Sequence, residues 1–336
     1  MQIIPQIALS LVPVFLFLAG LVVLDSFKLV KLRAILITIA VGGVSALASL
    51  AVNTLLMDAT PLEAGVFPRY VAPVVEEVLK AAYMVYLIRS KRVGFMVDAA
   101  LFGFALGAGF AFVENIVYLR SLPSATLFVW AIRGFGTAVM HGGTTAIFAV
   151  ISKNRADITS SETLSIFLPG LLTAMVIHSF FNHFFLPPEF QTIIYLIILP
   201  AVLLLVFKQS EQSTREWLGV GLDTDVELLS LITKGGVTST KIGVYFQSLE
   251  SRFRGEVLVD MLCYLRVHLE LSVKAKALLL MRSTGFDPPP DAEVEAQLKE
   301  LSFLDKSIGQ TGKLLLKPFL RHTSRDLWQL HMLAQK

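Results

Sequence analysis

Residues 94–119 read GFMVDAALFGFALGAGFAFVENIVYL, an apolar run interrupted by two acids, Asp98 and Glu114. As a helix rising 1.5 Å per residue it is long enough to cross a hydrocarbon core of about 30 Å, with length to spare for tilt. Helix is required there, because backbone groups facing lipid have no water to satisfy them. Working outward, six more runs share this character, at 7–24, 34–56, 70–88, 124–151, 164–186 and 190–207. An all-α polytopic membrane bundle of about seven spans is expected.

Composition agrees. The 336 residues are 54% hydrophobic and 16% charged, with mean hydropathy +0.68, whereas a soluble domain carries about 25% charged residues. Residues 1–207 hold 12 Lys+Arg and 10 Asp+Glu, and residues 208–336 hold 17 and 16. Most of the charge thus falls in the last third, which reads as a soluble domain, 208–336, following a membrane domain, 1–207. A net charge of +3 is too small and too evenly spread to suggest a nucleic-acid partner, and none is expected. The single cysteine, Cys263, excludes an internal disulfide and a cysteine-rich zinc site.

Orientation follows from the loops. Lys28, Lys31 and Arg33 lie in one connection, Arg89, Lys91 and Arg92 in another, and Lys153 and Arg155 in a third. The alternate connections hold Asp58, Glu63 and Arg69, then Arg120, then Glu189. The positive-inside rule puts the three basic loops in the cytoplasm if the N-terminus is outside, so residues 208–336 follow them in. The first run lacks a basic flank before it (MQIIPQ) and has basic residues after it, as a retained N-out anchor does.

Ionisable side chains inside spans cost at least about 2.5 kcal/mol each, which makes them functional candidates. The third run contains Pro73, Glu76, Glu77 and Lys80. Lys80 stands at i,i+4 from Glu76 and i,i+3 from Glu77, so it can neutralise one carboxylate and leave the other available. In the fourth run Gly103, Gly107, Phe110 and Glu114 share a face within about 60°; small residues at that spacing let another helix approach closely and would hold Glu114 against it. The fifth run carries Arg133 and His141, and the sixth carries His178 and Asn182 at i,i+4, with His183 about 100° away. Asp98 lies at the other end of the fourth run and is left out of this group. With the orientation above, the remaining groups converge on the outer half of the bilayer.

Glu76-Glu77-x-x-Lys80, Phe110-x-x-x-Glu114-Asn115, Arg133 with His141 eight residues later, and His178-x-x-x-Asn182 together resemble the PrsW family of intramembrane proteases, itself related to the CAAX-prenyl endopeptidases and bacteriocin-immunity (Abi) proteins. The resemblance spans about residues 70–186. It implies an integral protein of the prokaryotic inner membrane, performing site-1 cleavage of a membrane-anchored substrate of the anti-sigma-factor type near the outer leaflet. The glutamate pair would activate a water, Glu76 as general base with Glu77 and Lys80 as charge partners or the reverse, while His178 and Asn182 would polarise the scissile carbonyl. The wider superfamily has histidine where this chain has Glu114.

Two chemistries fit these residues. A glutamate can deprotonate water while His178 and Asn182 hold the oxyanion, such donors contributing about 2.7–4 kcal/mol each. Alternatively Glu77, Glu114, His141 and His178 supply ligands for a divalent metal such as zinc, whose bound water ionises near pH ~7; Arg133, Phe110 and Asn115 support either. The rival classes are a transporter or channel, for which no internal repeat is seen, and a silent binding protein of the same fold. Residues 208–336 read as helices near 224–233, 238–251, 254–283, 291–309 and 311–334, with Gly235-Gly236 and Gly285 with Pro288-Pro289-Pro290 as breaks and Asp291 as an N-cap. His268, His322 and His331 lack partners at ligand spacing. A regulatory or scaffolding role, with homo-oligomerisation through this domain, is expected.

Overall fold

The computed structural model describes residues 3–25, 30–63, 65–159, 163–234, 240–286, 288–289, 291–320 and 324–334. Lys28, Gly235-Gly236, Pro290 and His322, together with the His331 side chain, lie outside the described residues. The described residues are helical and contain no strand. In order they form α1 (Ile3–Leu24), α2 (Leu32–Ala59), α3 (Ala72–Arg89), α4 (Met96–Ser121), α5 (Leu127–Ala131), α6 (Ala138–Thr159), α7 (Leu168–His183), α8 (Pro188–Thr233), α9 (Lys241–Leu249), α10 (Gly255–Ser283), α11 (Ala292–Leu316) and α12 (Ser324–Ala334). Two π-helical turns lead directly into site helices: Phe67–Val71 into α3 and Ile132–Thr137 from α5 into α6.

Six stretches are long and apolar enough to cross a membrane: α1, α2, α4, Leu127–Thr159, Leu164–His183 and α8. The run expected at 70–88 is not among them. α3 is a regular helix of 18 residues, but Glu76, Glu77, Lys80 and Arg89 lower its apolarity. Its first two acids and Lys80 are buried, so the charges face the protein interior.

Contacts divide the chain into Met1–Glu211 and Gln212–Lys336. In the first unit α4 is the central helix, buried along most of its length between α2 and α6. Glycine makes that possible. A Cβ on Gly107 would lie 2.2 Å from the His141 carbonyl oxygen, and one on Gly109 would lie 2.0 Å from that of Ile39. The two backbones meet α4 from opposite sides, as small-residue faces allow. At the start of α4, Asp98 Oδ2 accepts from the N–H groups of Gly94 and Phe95 at 2.9 and 3.0 Å, so this acid caps the helix. Large apolar side chains such as Ile37, Leu172, Val176 and Ile197 cover the outside.

In the second unit α10 packs on α11, and Leu265, Leu271, Leu304 and Leu316 lie in the core. Asp291 caps α11, its carboxylate accepting from the Glu293 N–H at 2.9 Å. The expected start of a helix at 224 is absent, because α8 runs unbroken through 208–223. That stretch is polar yet rich in helix formers, and Gln212 reaches Glu216 at i,i+4, 3.0 Å away. The break expected near 310 appears as Gly309 with φ +61°, a conformation that suits glycine. The helix then ends at Leu316 rather than continuing to 334.

Candidate active site

α3 contributes three buried groups. Lys80 Nζ donates to Glu77 Oε1 at 2.6 Å, the i,i+3 choice, and Glu76 does not receive it. Lys80 is fully enclosed, so this ion pair supplies the carboxylate that a buried ammonium requires. Lys80 Nζ also lies 3.3 Å from His141 Nδ1 and 4.8 Å from the centre of the Phe110 ring.

The two imidazoles come from α6 and α7 and meet edge to face, with centroids 4.8 Å apart. His178 Nδ1 donates to Glu77 Oε1 at 2.8 Å. His141 Nε2 donates to Glu114 Oε2 at 3.2 Å, which leaves Nδ1 as the acceptor for Lys80. These partners assign the tautomers. The His178 Nε2 lone pair then faces Glu76 Oε2 at 3.8 Å.

Glu114 is anchored from the other side. Arg133 Nη2 lies 3.1 Å from Glu114 Oε2, Arg133 Nε donates to Asn115 Oδ1 at 2.9 Å, and Asn115 Nδ2 donates to the Ser10 carbonyl at 2.7 Å. The guanidinium lies 3.6 Å over the Tyr118 ring. The glycine face of α4 thus does bring Glu114 to α6: Gly107 meets the His141 backbone, Phe110 its ring and Glu114 its Nε2.

Glu76 differs from the other two acids. One oxygen receives only a long 3.5 Å contact from Asn53 Nδ2 on α2, and the buried Oε2 has no hydrogen-bond partner among the described residues. Asn53 did not figure in the sequence reading. A lone amide inside the apolar run 34–56 is the sequence signal by which it could be found.

Asn182 lies apart from the cluster. Its Nδ2 donates to the Pro68 carbonyl at 2.8 Å, in the turn before α3. His183 turns toward Tyr70 and Phe185, with ring centroids 4.8 and 5.0 Å away. Between these residues runs an apolar groove of about 340 Å³, walled by Pro73 and Val74 of α3 and by Met175, Val176 and Phe180 of α7.

Glu76, His141 and His178 can each offer one ligand atom, and all three atoms lie within 4.8 Å of one another. Glu77 and Glu114, the glutamates expected as ligands, bond His178 Nδ1 and His141 Nε2 respectively. Carboxylate partners of this kind orient metal-binding histidines. The donor set fits a divalent ion: two imidazoles and one carboxylate is a catalytic zinc set, and the His178 Nε2 lone pair faces a buried Glu76 oxygen that has no hydrogen-bond partner among the described residues.

The model of the PrsW family of intramembrane metalloproteases matches residues 30–206. No curated protein and no solved structure matches the chain. The family implies a divalent metal, in keeping with the Glu/His/His group, and a membrane-anchored protein as substrate within the bilayer. With more than half its length matched, and with acids and imidazoles converging from four helices, the chain belongs to the PrsW family of intramembrane metalloproteases.

Proposed function

We propose that this protein cleaves a membrane-anchored protein near the outer leaflet of a prokaryotic inner membrane, as a site-1 protease of the anti-sigma-factor type. The observation that carries the reading is Glu76 Oε2, a buried carboxylate oxygen with no hydrogen-bond partner among the described residues, facing the His178 Nε2 lone pair. The basic loops support an N-out arrangement with residues 208–336 in the cytoplasm.

Glu76, His141 and His178 would hold the metal. Such an ion lowers the pKa of a bound water to about 7 and polarises a carbonyl. The protein's own groups do the rest. Glu77 accepts the His178 Nδ1 proton, which turns its Nε2 toward Glu76, and Glu114 accepts the His141 Nε2 proton, which leaves Nδ1 beside Lys80. Lys80 and Arg133 neutralise these two acids, so of the three site acids Glu76 is the one whose carboxylate is not paired with a lysine or arginine among the described residues. Phe110 covers one side of His141 and keeps bulk water from it. The groove between α3 and α7 offers an apolar segment a path along the two helices that carry the glutamates and His178.

Residues 208–336 are assigned a regulatory or scaffolding role with self-association. In support, no comparable donor trio occurs among the described residues of Gln212–Lys336. Its buried Lys276 is paired with Asp225.

Co-expression with single-pass substrates tests the reading. Wild type yields a fragment cut near the outer face, and Glu76→Gln yields none. A fragment that persists in both Glu76→Gln and Glu77→Gln would overturn it. Metal analysis of active protein decides the chemistry, since a metal-free active enzyme would make Glu76 a general base. Truncation after about residue 210 leaves cleavage intact if the second unit carries no chemistry.

A further inference from the structure

The turn Phe67–Val71 is π-helical, with the Ala72 N–H donating to the Phe67 carbonyl. Pro73 follows and has no N–H. It can close neither the α-type bond to Arg69 nor the π-type bond to Pro68. Both carbonyls take donors from α7 instead: Ser179 Oγ donates to the Arg69 oxygen at 2.6 Å, and Asn182 Nδ2 donates to the Pro68 oxygen at 2.8 Å. Ser179 and Asn182 lie one and four residues beyond His178, and Glu76 and Glu77 lie three and four beyond Pro73. The two bonds therefore stand about one helical turn from the His178–Glu77 contact, on the same pair of helices.

We propose that Ser179 and Asn182 are positioning residues, which fix α7 against α3 so that His178 meets Glu77 with one nitrogen and faces Glu76 with the other. Proline creates the need for them by removing an N–H at the start of the glutamate helix. Asn182 is then a clamp on the protein's own backbone and not a donor to the scissile carbonyl. This rests on the proposed protease reading, so one arm of the test does not use cleavage.

Four changes are made in the full chain: Ser179→Ala, Ser179→Thr, Asn182→Ala, and Pro73→Ala alone and combined with each alanine variant. Turnover of a membrane-anchored substrate is measured beside amide exchange across residues 67–76. Asn182→Ala and Ser179→Ala are expected to lower kcat about tenfold at unchanged KM and to speed exchange, as an orphaned carbonyl loosens the turn. Ser179→Thr, which keeps the hydroxyl, stays near wild type. Pro73→Ala supplies the missing N–H from α3 itself and restores both readings in the double variants.

Restored exchange protection with no recovery of kcat in Pro73→Ala/Asn182→Ala would place Asn182 on the substrate and overturn the proposal. Unchanged exchange in Asn182→Ala, or wild-type kcat in Ser179→Ala, would also overturn it. If wild type cleaves no substrate, the protease reading falls and the exchange arm still decides the clamp.

Discussion

His178 spans two adjacent acids of one helix: its Nδ1 lies 2.8 Å from Glu77 Oε1 and its Nε2 lies 3.8 Å from Glu76 Oε2. Neighbours in sequence thus receive different work. Glu77 is bound to a lysine and an imidazole, and Glu76 keeps an oxygen available.

This division separates the effects of two similar substitutions. Glu76→Gln removes no ion pair with a cation, so it is expected to abolish cleavage, by about 10²-fold or more, while leaving the melting temperature close to wild type. Glu77→Gln leaves the enclosed Lys80 ammonium without its carboxylate and destabilises the fold by about 3–5 kcal/mol as well as reducing cleavage. Pairing Glu77→Gln with Lys80→Met recovers most of the stability and none of the activity. Thermal unfolding in detergent, beside a cleavage assay, checks all three.

Metal content gives a second test. Purified protein is expected to hold one divalent ion per chain, lost from Glu76→Gln, His141→Ala and His178→Ala and kept by Asp98→Asn, whose carboxylate caps α4. Chelation should stop cleavage and re-addition of the ion should restore it. Elemental analysis across the series reads the outcome; equal content in His178→Ala and wild type would remove His178 from the ligand set.

Gly107 supports His141 through the backbone. Adding a Cβ 2.2 Å from the His141 carbonyl forces α4 and α6 apart, so Gly107→Ala is expected to cost about 1–3 kcal/mol and to lower kcat. Gly255→Ala meets nothing within 4 Å and serves as the neutral control. Unfolding midpoints and turnover of the two variants should differ in this order.

A pH effect is expected in the second unit. Lys274 Nζ donates to Asp291 at 2.7 Å and to Glu293 at 3.1 Å. Those bonds hold the lysine above its ordinary 10.5, and the lysine holds the Asp291 carboxyl below its ordinary 3.8. A lowered acid stabilises the fold above its unfolded value and loses that contribution as pH falls through the folded one. A raised lysine stabilises below its unfolded value and loses that contribution as pH climbs through the folded one. The difference in melting temperature between wild type and Lys274→Met should therefore be small and flat from about pH 5 to 9, shrinking outside that window.

Much of this was legible from the chain. Apolar runs of about 20 residues specify helices because lipid permits little else; the third run is a helix, but its charges keep it out of the six stretches long and apolar enough to cross a membrane. The i,i+3 and i,i+4 choices at Glu76-Glu77-Lys80 could be named, but only packing against His178 selects Glu77. Ligand roles were harder to read: Glu77, Glu114 and Glu76 are alike in spacing, and their partners arrive from α6, α7 and the turn at Arg133. Asn182 shares a face of α7 with His178 by spacing, but it reaches a carbonyl 114 residues away, freed by a proline on another helix. No periodicity encodes that meeting.

The close seat of α4 against α6 has a mechanical consequence. A side chain can change rotamer to make room, but peptide planes in van der Waals contact cannot. With Gly107 pressed on the backbone of His141, that side of the acid–imidazole cluster is rigid. On the proposed reading, motion that admits an extended polypeptide would fall at the seam between α3 and α7, where Pro73, Val74, Val176 and Phe180 line the groove with movable side chains. A small apolar wedge lodged there would stop turnover without touching a single titratable group.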